Sequence, residues 1–191
     1  MNLNKLRDEA YSIAKANGWH EEEHSDEHWL MLVISEIAEA VQADRKNKHA
    51  DIAKFKEWQG NSLPLSEETR IRRFKEDFEA YIENTVESEL ADIVIRCMDF
   101  SGLHGFDLQS LFNEPVDGDV LEEMFSGKTF AEIAFRICDD IFFSTAEAAT
   151  YRVIYDVVQY CQFKGIDLDF FIRTKMNYNR LRGYHHGGKR Y

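Results

Sequence analysis

Two pairs of carboxylates carry the clearest chemical potential in this chain. Glu36 and Glu39 are three residues apart, and so are Glu89 and Asp92. On a helix, residues at that spacing share one face. Like charges so placed repel by roughly 0.2–0.5 kcal/mol, and partial burial raises the cost unless a cation is present. Four convergent carboxylates form an all-oxygen donor set, which suits a hard divalent cation such as Mg²⁺. Acids are abundant here, however: 35 Asp and Glu stand against 23 Lys and Arg, for a net charge of −12. Solvated faces of an acidic protein show the same spacing, and Asp92 with Arg96 is also placed for an ordinary i,i+4 ion pair.

The basic residues have their own distribution. Residues 173–191 hold Arg173, Lys175, Arg180, Arg182, Lys189 and Arg190 and no acid. Lys175, Asn179 and Arg182 follow one another at four- and three-residue steps, so one helix face can present all three. Arg offers phosphate a two-pronged fork and Lys a point charge. A basic C-terminus that complements a helix dipole is the simpler account of the same residues. His20-Glu21-Glu22-Glu23-His24 matches the zinc-peptidase spacing H-E-x-x-H, but it lies in a charged stretch after Gly18 without an obvious third ligand. His20, His24 and His28 are read instead as one face of a helix.

These residues need elements to position them, and the periodicity is helical almost throughout. Leu30, Ile34, Ile37 and Val41 recur at helical steps. So do Ile71, Phe74, Phe78 and Ile82; Leu90, Val94 and Met98; Ile133, Ile137 and Ile141; and Val153, Val157 and Tyr160. Helices are expected over about 3–16, 25–46, 49–58, 66–83, 85–103, 119–125, 129–143, 145–164 and 167–181. Thr129 with Glu132 spells a capping box, and Asn84 with Glu87 a looser one. Loops are expected at 59–65 and 113–118, and a glycine- and histidine-rich tail from Gly183. Phe142 and Phe143 are assigned to the core with the other helical phenylalanines, and Tyr178 likewise. Cys97, Cys138 and Cys161 read as buried free thiols. The fold class is all-α, a helical bundle over residues 1–191.

A faint internal repeat runs through it. Ser35–Asp44, SEIAEAVQAD, echoes Ala131–Asp140, AEIAFRICDD, and Gly105-Phe106-Asp107-Leu108 echoes Gly165-Ile166-Asp167-Leu168. The offsets, 96 and 60 residues, give the first copy 36 extra residues near 48–84. The halves 1–112 and 119–191 would form a single-chain pseudo-dimer. The second copy keeps only Glu132 of the acidic quartet, with Phe135, Ala149 and Arg152 at the other places.

Taken in order, these motifs resemble the MazG-like all-α nucleoside triphosphate pyrophosphohydrolases. The resemblance rests on Ser35-Glu36-Ile37-Ala38-Glu39-Ala40, then Glu87-Ser88-Glu89-Leu90-Ala91-Asp92-Ile93, as an E-x-x-E … E-x-x-D signature. Gly18-Trp19-His20, His28-Trp29-Leu30, Gly165-Ile166-Asp167-Leu168, Lys175, Tyr178-Asn179 and Arg182 extend it. The stretch from Glu39 to Glu89 is longer than the family usually shows. The resemblance implies a hydrolase that needs Mg²⁺, with Mn²⁺ as a substitute, and cleaves a nucleoside triphosphate between the α- and β-phosphates. Glu36, Glu39, Glu89 and Asp92 would be metal ligands and catalytic residues. Lys175, Asn179, Arg182, Trp19 and His20 would contact the nucleotide. A homo-oligomer is compatible with the family's habit of building sites from two subunits.

The net charge argues against a nucleic-acid polymer as partner, because such binding needs a basic footprint. No stretch approaches the roughly 18 apolar residues of a membrane span, and a cytoplasmic setting is expected. The alternative function class is a non-catalytic helical interaction module whose acidic faces serve solubility.

Overall fold

A computed structural model describes residues 2–57, 65–109 and 116–188. Among them there is helix and no strand. In chain order the helices are α1 (Leu3–Ala16), α2 (Asp26–Arg45), α3 (Ile52–Glu57), α4 (Glu67–Tyr81), α5 (Val86–His104), α6 (Gly118–Phe125), α7 (Phe130–Phe142), α8 (Ala146–Lys164), α9 (Leu168–Arg180) and the short α10 (His185–Gly188). Trp58, most of the loop expected at 59–65, residues 113–115 of the second loop and Lys189–Tyr191 lie outside the described residues. No helix among the described residues is long and apolar enough to cross a membrane.

Polar side chains start these helices where the sequence signals lie. Thr129 and Glu132 form the reciprocal capping box, and Thr145 and Asp167 accept from the backbone N–H three residues on. Before α5 the cap is Thr85, accepting from Ser88 N, not Asn84. Asn84 takes a positive φ of 57° and turns the chain into the cap. Glu87 looks away from the helix start, to His49 Nδ1 (2.8 Å) and the Ala50 N–H (3.0 Å). Gly105 and Gly165 end α5 and α8 with φ of 74° and 68°, a left-handed turn that a Cβ would strain.

Helices α2, α5, α8 and α7 pack in a closed ring, each against the next. Their apolar stripes meet at the centre: Val33 and Ile37, Leu90 and Val94, Val153 and Val157, Ile133 and Ile137. Helix α1 lies on α5, and α9 lies on α5, α1 and α4. Because α5 is covered by four helices, it is buried nearly all round, from Val86 to Ser101. Helix α2 is also held on two sides, so it buries Trp29, Val33, Ile37, Ala40 and Ala43 more deeply than the expected Leu30, Ile34 and Val41, which are half-buried. Phe142 and Phe143 correct the core assignment. They end α7 beyond its packed length and are 69% and 82% exposed. Cys97 and Cys161 are buried free thiols, and Cys138 is half-buried.

The extra segment near 48–84 buttresses α9. Phe55 meets Phe74 and Phe170 edge-on, and Phe78 stacks on Tyr178 with ring centres 4.2 Å apart. The Tyr178 hydroxyl donates to Glu79 Oε1 at 2.8 Å. Backbone bonds from Asp51 to Tyr81 and from Val86 to Lys48 stitch the segment to the start of α5.

Contact between α1 and α5 is tightest at Gly102, where an added Cβ would come within 2.5 Å of the Tyr11 Cβ. An alanine there would gain about 1 kcal/mol of helix propensity, but must push α1 off α5. Gly102→Ala should therefore destabilise the protein by on the order of 1–3 kcal/mol, measured by urea denaturation.

Candidate functional site

The site is built from the inward face of α5. Glu89, Asp92, Arg96 and Asp99 follow at steps of three, four and three, so they form one polar stripe on an otherwise apolar helix. Glu36 faces it from α2. Its position, three after Val33 and four before Ala40, lies on the core-facing side of α2, so the carboxylate is only 8% exposed. Glu89 is 3% exposed.

Carboxylate oxygens of Glu36, Glu89 and Asp92 lie within 4.8 Å of one another, close enough to share one ion. Glu39 is exposed on the wall of the same cleft and stands outside this group of three. Two cationic side chains enter the cluster. Lys175, 7% exposed, reaches in from α9 and places Nζ 2.6 Å from Asp92 Oδ2, with its ammonium over the Phe78 ring. Arg96 Nε donates to Glu36 Oε1 at 2.9 Å. The i,i+4 pair expected between Asp92 and Arg96 is thus replaced by two long-range pairs.

Burial disfavours charge in this cluster, and the carboxylates feel one another. Glu89 is pushed up to about 8 by burial and then by the Asp92 charge, with Lys175 opposing. Asp92 is pushed up to about 6 by burial and by Glu36, again against Lys175. Burial alone would lower Lys175, but Asp92, Glu89 and Glu36 together hold it above its ordinary value. Asp99 is raised by burial, against its contact with His20.

The cluster opens into a cleft of about 890 Å³, part of it open solvent. Glu36, Glu39, Glu89 and Asp92 line it with Lys175, Asn179, Arg182 and Trp19. These residues come from α2, α5, α9, the turn after α1 and, for Arg182, the bend past the end of α9 at Arg180. Arg182 therefore does not share a helix face with Lys175 and Asn179, but the fold brings them to one place. His20 stands behind the wall. Its Nε2 lies 2.7 Å from Asp99 Oδ1, and its ring stacks on Trp29. The H-E-x-x-H stretch spans the turn between α1 and α2 and is not helical. His20 is spent on Asp99 while His24 stacks on His28, so the three histidines share no helix face.

Sequence reasoning passed over Arg96, Asp99 and Asn17 as cleft residues, whereas His186 of the histidine-rich tail, a candidate phosphate contact by sequence, does line the cleft. Arg96 and Asp99 carried a signal, since they prolong the polar stripe of Glu89 and Asp92 by two more helical steps. Asn17, 7% exposed, carried none. It caps α1, and its side-chain N–H donates to the Asn179 carbonyl, 162 residues away. Comparison with known protein families, with curated proteins and with solved structures finds no match to this chain. The fold and the site together define a helical protein with a cleft of mixed charge, acidic enough at one end to take a cation.

The raised Glu89 makes stability depend on pH. Between the ordinary carboxylate range and about 8, the folded state holds a proton that the unfolded state has lost. Stability should therefore fall as pH rises from 5 to 8.5. Glu89→Gln should flatten that fall and stabilise the metal-free protein at pH 8.5 by on the order of 2 kcal/mol. The Tm of the wild type and the variant, followed across pH with EDTA present, measures this.

Proposed function

We propose that this protein is a Mg²⁺-dependent nucleoside triphosphate pyrophosphohydrolase that releases a nucleoside monophosphate and pyrophosphate. One observation carries the reading. The Glu36–Glu89–Asp92 cluster, with Lys175 paired into it, lines one cleft together with Asn179, Arg182 and Trp19. Acid for the cation, base for the phosphates and an aromatic face for a ring are the three parts a metal–nucleotide complex asks for. The order of motifs that resembles the MazG-like family supports the same conclusion.

The donor set fits the cation. Six acids line the cleft, Glu36, Glu39, Glu83, Glu89, Asp92 and Asp99, against three bases, Arg96, Lys175 and Arg182, so acid exceeds base there. All the donors are hard oxygens, as Mg²⁺ or Mn²⁺ prefers. When bound, the cation would neutralise the polyphosphate and lower the pKa of a bound water. Lys175 and Arg182 then orient the phosphate chain. Water attacks the α-phosphorus, the bond to the bridging oxygen breaks, pyrophosphate departs, and a cleft carboxylate takes the proton.

The pseudo-dimer belongs to this reading. The ring of α2, α5, α8 and α7 pairs each repeated segment with its counterpart, and the two left-handed glycine caps match. At the second copy, Arg136 pairs with Asp156 at 2.9 Å and Arg152 with Asp140 at 3.0 Å, so arginines of that helix pair face its own acids. One working site per chain follows, with metal ligands from the first half and phosphate contacts from the second. The alternative, a non-catalytic acidic module, draws on the Lys175–Asp92 and Arg96–Glu36 pairs, which already compensate part of the acid charge without a metal.

A panel of nucleoside triphosphates with Mg²⁺ separates the two. The enzyme should release pyrophosphate from at least one of them, bind one nucleotide per chain, and lose at least 100-fold in turnover on Glu36→Gln with its fold intact. Release of orthophosphate alone, or two equivalent sites per chain, contradicts the proposal. An absence of both turnover and Mg²⁺ binding favours the module.

A further inference from the structure

The residues after α9 form a small strap rather than a loose tail. Tyr184, His185 and His186 lie against the turn that follows α1. The His185 N–H donates to the Asn17 carbonyl at 3.0 Å, and His185 Nε2 lies 3.1 Å from the Gly18 carbonyl. The Tyr184 hydroxyl donates to Glu21. Gly18 makes this seat possible. Its φ is +87°, and an added Cβ would meet Tyr184 Cε2 at 2.3 Å and the His185 ring at 2.8 Å.

Three rings are layered there. His185 stacks on Trp19 with centres 4.8 Å apart and planes 10° apart, and Tyr184 stacks on the His185 ring at 4.2 Å and 12°. An imidazole thus fills the slot between an indole and a phenol, where a flat heterocycle of similar thickness would be held. The slot joins two cavities. Trp19 and Arg96 line both the acidic cleft and a second hollow formed with His24, His28 and Trp29, and the strap borders each, through His186 and through Tyr184 with His185.

The strap is weakly committed to this position. His185 and His186 both adopt the left-handed region, with φ of 47° and 49°, which side-chain-bearing residues disfavour. Tyr184 is 59% exposed. A strained turn held by stacking and a few backbone bonds can exchange with a ligand that offers the same ring face.

Resting on the nucleotide reading above, we propose that the strap is a built-in plug, in which His185 occupies the face of Trp19 that the base of a nucleotide takes, so that binding displaces residues 184–186. The phosphates would take the acidic cleft at Lys175 and Arg182, which the strap borders only through His186, whereas the base competes with His185 for the face of Trp19.

The test uses the full chain, His185→Ala, His185→Phe and a chain ending at Gly183. The probes are non-hydrolysable α,β-methylene nucleoside triphosphates and inorganic pyrophosphate, each with Mg²⁺. Removing the plug should tighten nucleotide binding by about tenfold and leave pyrophosphate unchanged. His185→Phe keeps a ring on Trp19 and should bind like the wild type. In the wild type, exchange of the His185 amide should quicken when the nucleotide analogue saturates the site. Equal or weaker nucleotide binding by the plugless chains, or slower exchange of that amide, overturns the plug and leaves the nucleotide reading standing. An analogue that binds none of the four proteins overturns both.

Discussion

Buried carboxylates need counter-charges, and in this protein the counter-charges come from far along the chain. Glu36 and Glu89 face inward because α2 and α5 are held on several sides. An isolated charge so deeply buried would cost several kcal/mol. Lys175 and Arg96 offset it, and Lys175 can do so only if α9 lies against α5 in one register. That register depends on the glycine turn at Gly165 and on the aromatic buttress from α3 and α4. Phe78 supports both the Tyr178 ring and the Lys175 ammonium. The segment that lengthens the stretch between the acid pairs thus has a structural task at the site.

The two helix pairs of the central ring handle charge differently. Between α7 and α8, arginines and aspartates meet as the ion pairs Arg136–Asp156 and Arg152–Asp140. Between α2 and α5, acids outnumber bases, and the surplus faces a cleft. Similar apolar stripes therefore support a pair bridged by two arginine–aspartate contacts on one side and an open, strongly acidic pair on the other. The net charge of −12 says little about function by itself. What bears on function is that a few of its acids are crowded where packing forbids them to spread.

Much of the local structure was legible beforehand. Helical steps of apolar residues and capping residues located the helices to within a few positions, because both signals act over one or two turns. The acid pairs were legible for the same reason, as were Lys175 and Asn179 on α9, whereas Arg182 lies past the end of that helix. The partners were not. Asp92 and Arg96 sit at ideal spacing for each other, yet Asp92 pairs with Lys175 and Arg96 with Glu36. Phe142 and Phe143 fit the apolar pattern of α7 and still face solvent, since nothing among the described residues covers the end of that helix.

The amino-acid sequence by itself determined which stretches are helical and, to within a few positions, where they start and stop, since these follow from steric and hydrogen-bonding preferences within a few residues. Tertiary structure alone decided which acids became a cluster, which bases entered it, that His20 serves Asp99, and that the turn after α9 lies on Trp19. Those outcomes rest on contacts between residues tens to more than a hundred positions apart. Their energies depend on burial, and burial exists only once the helices have packed.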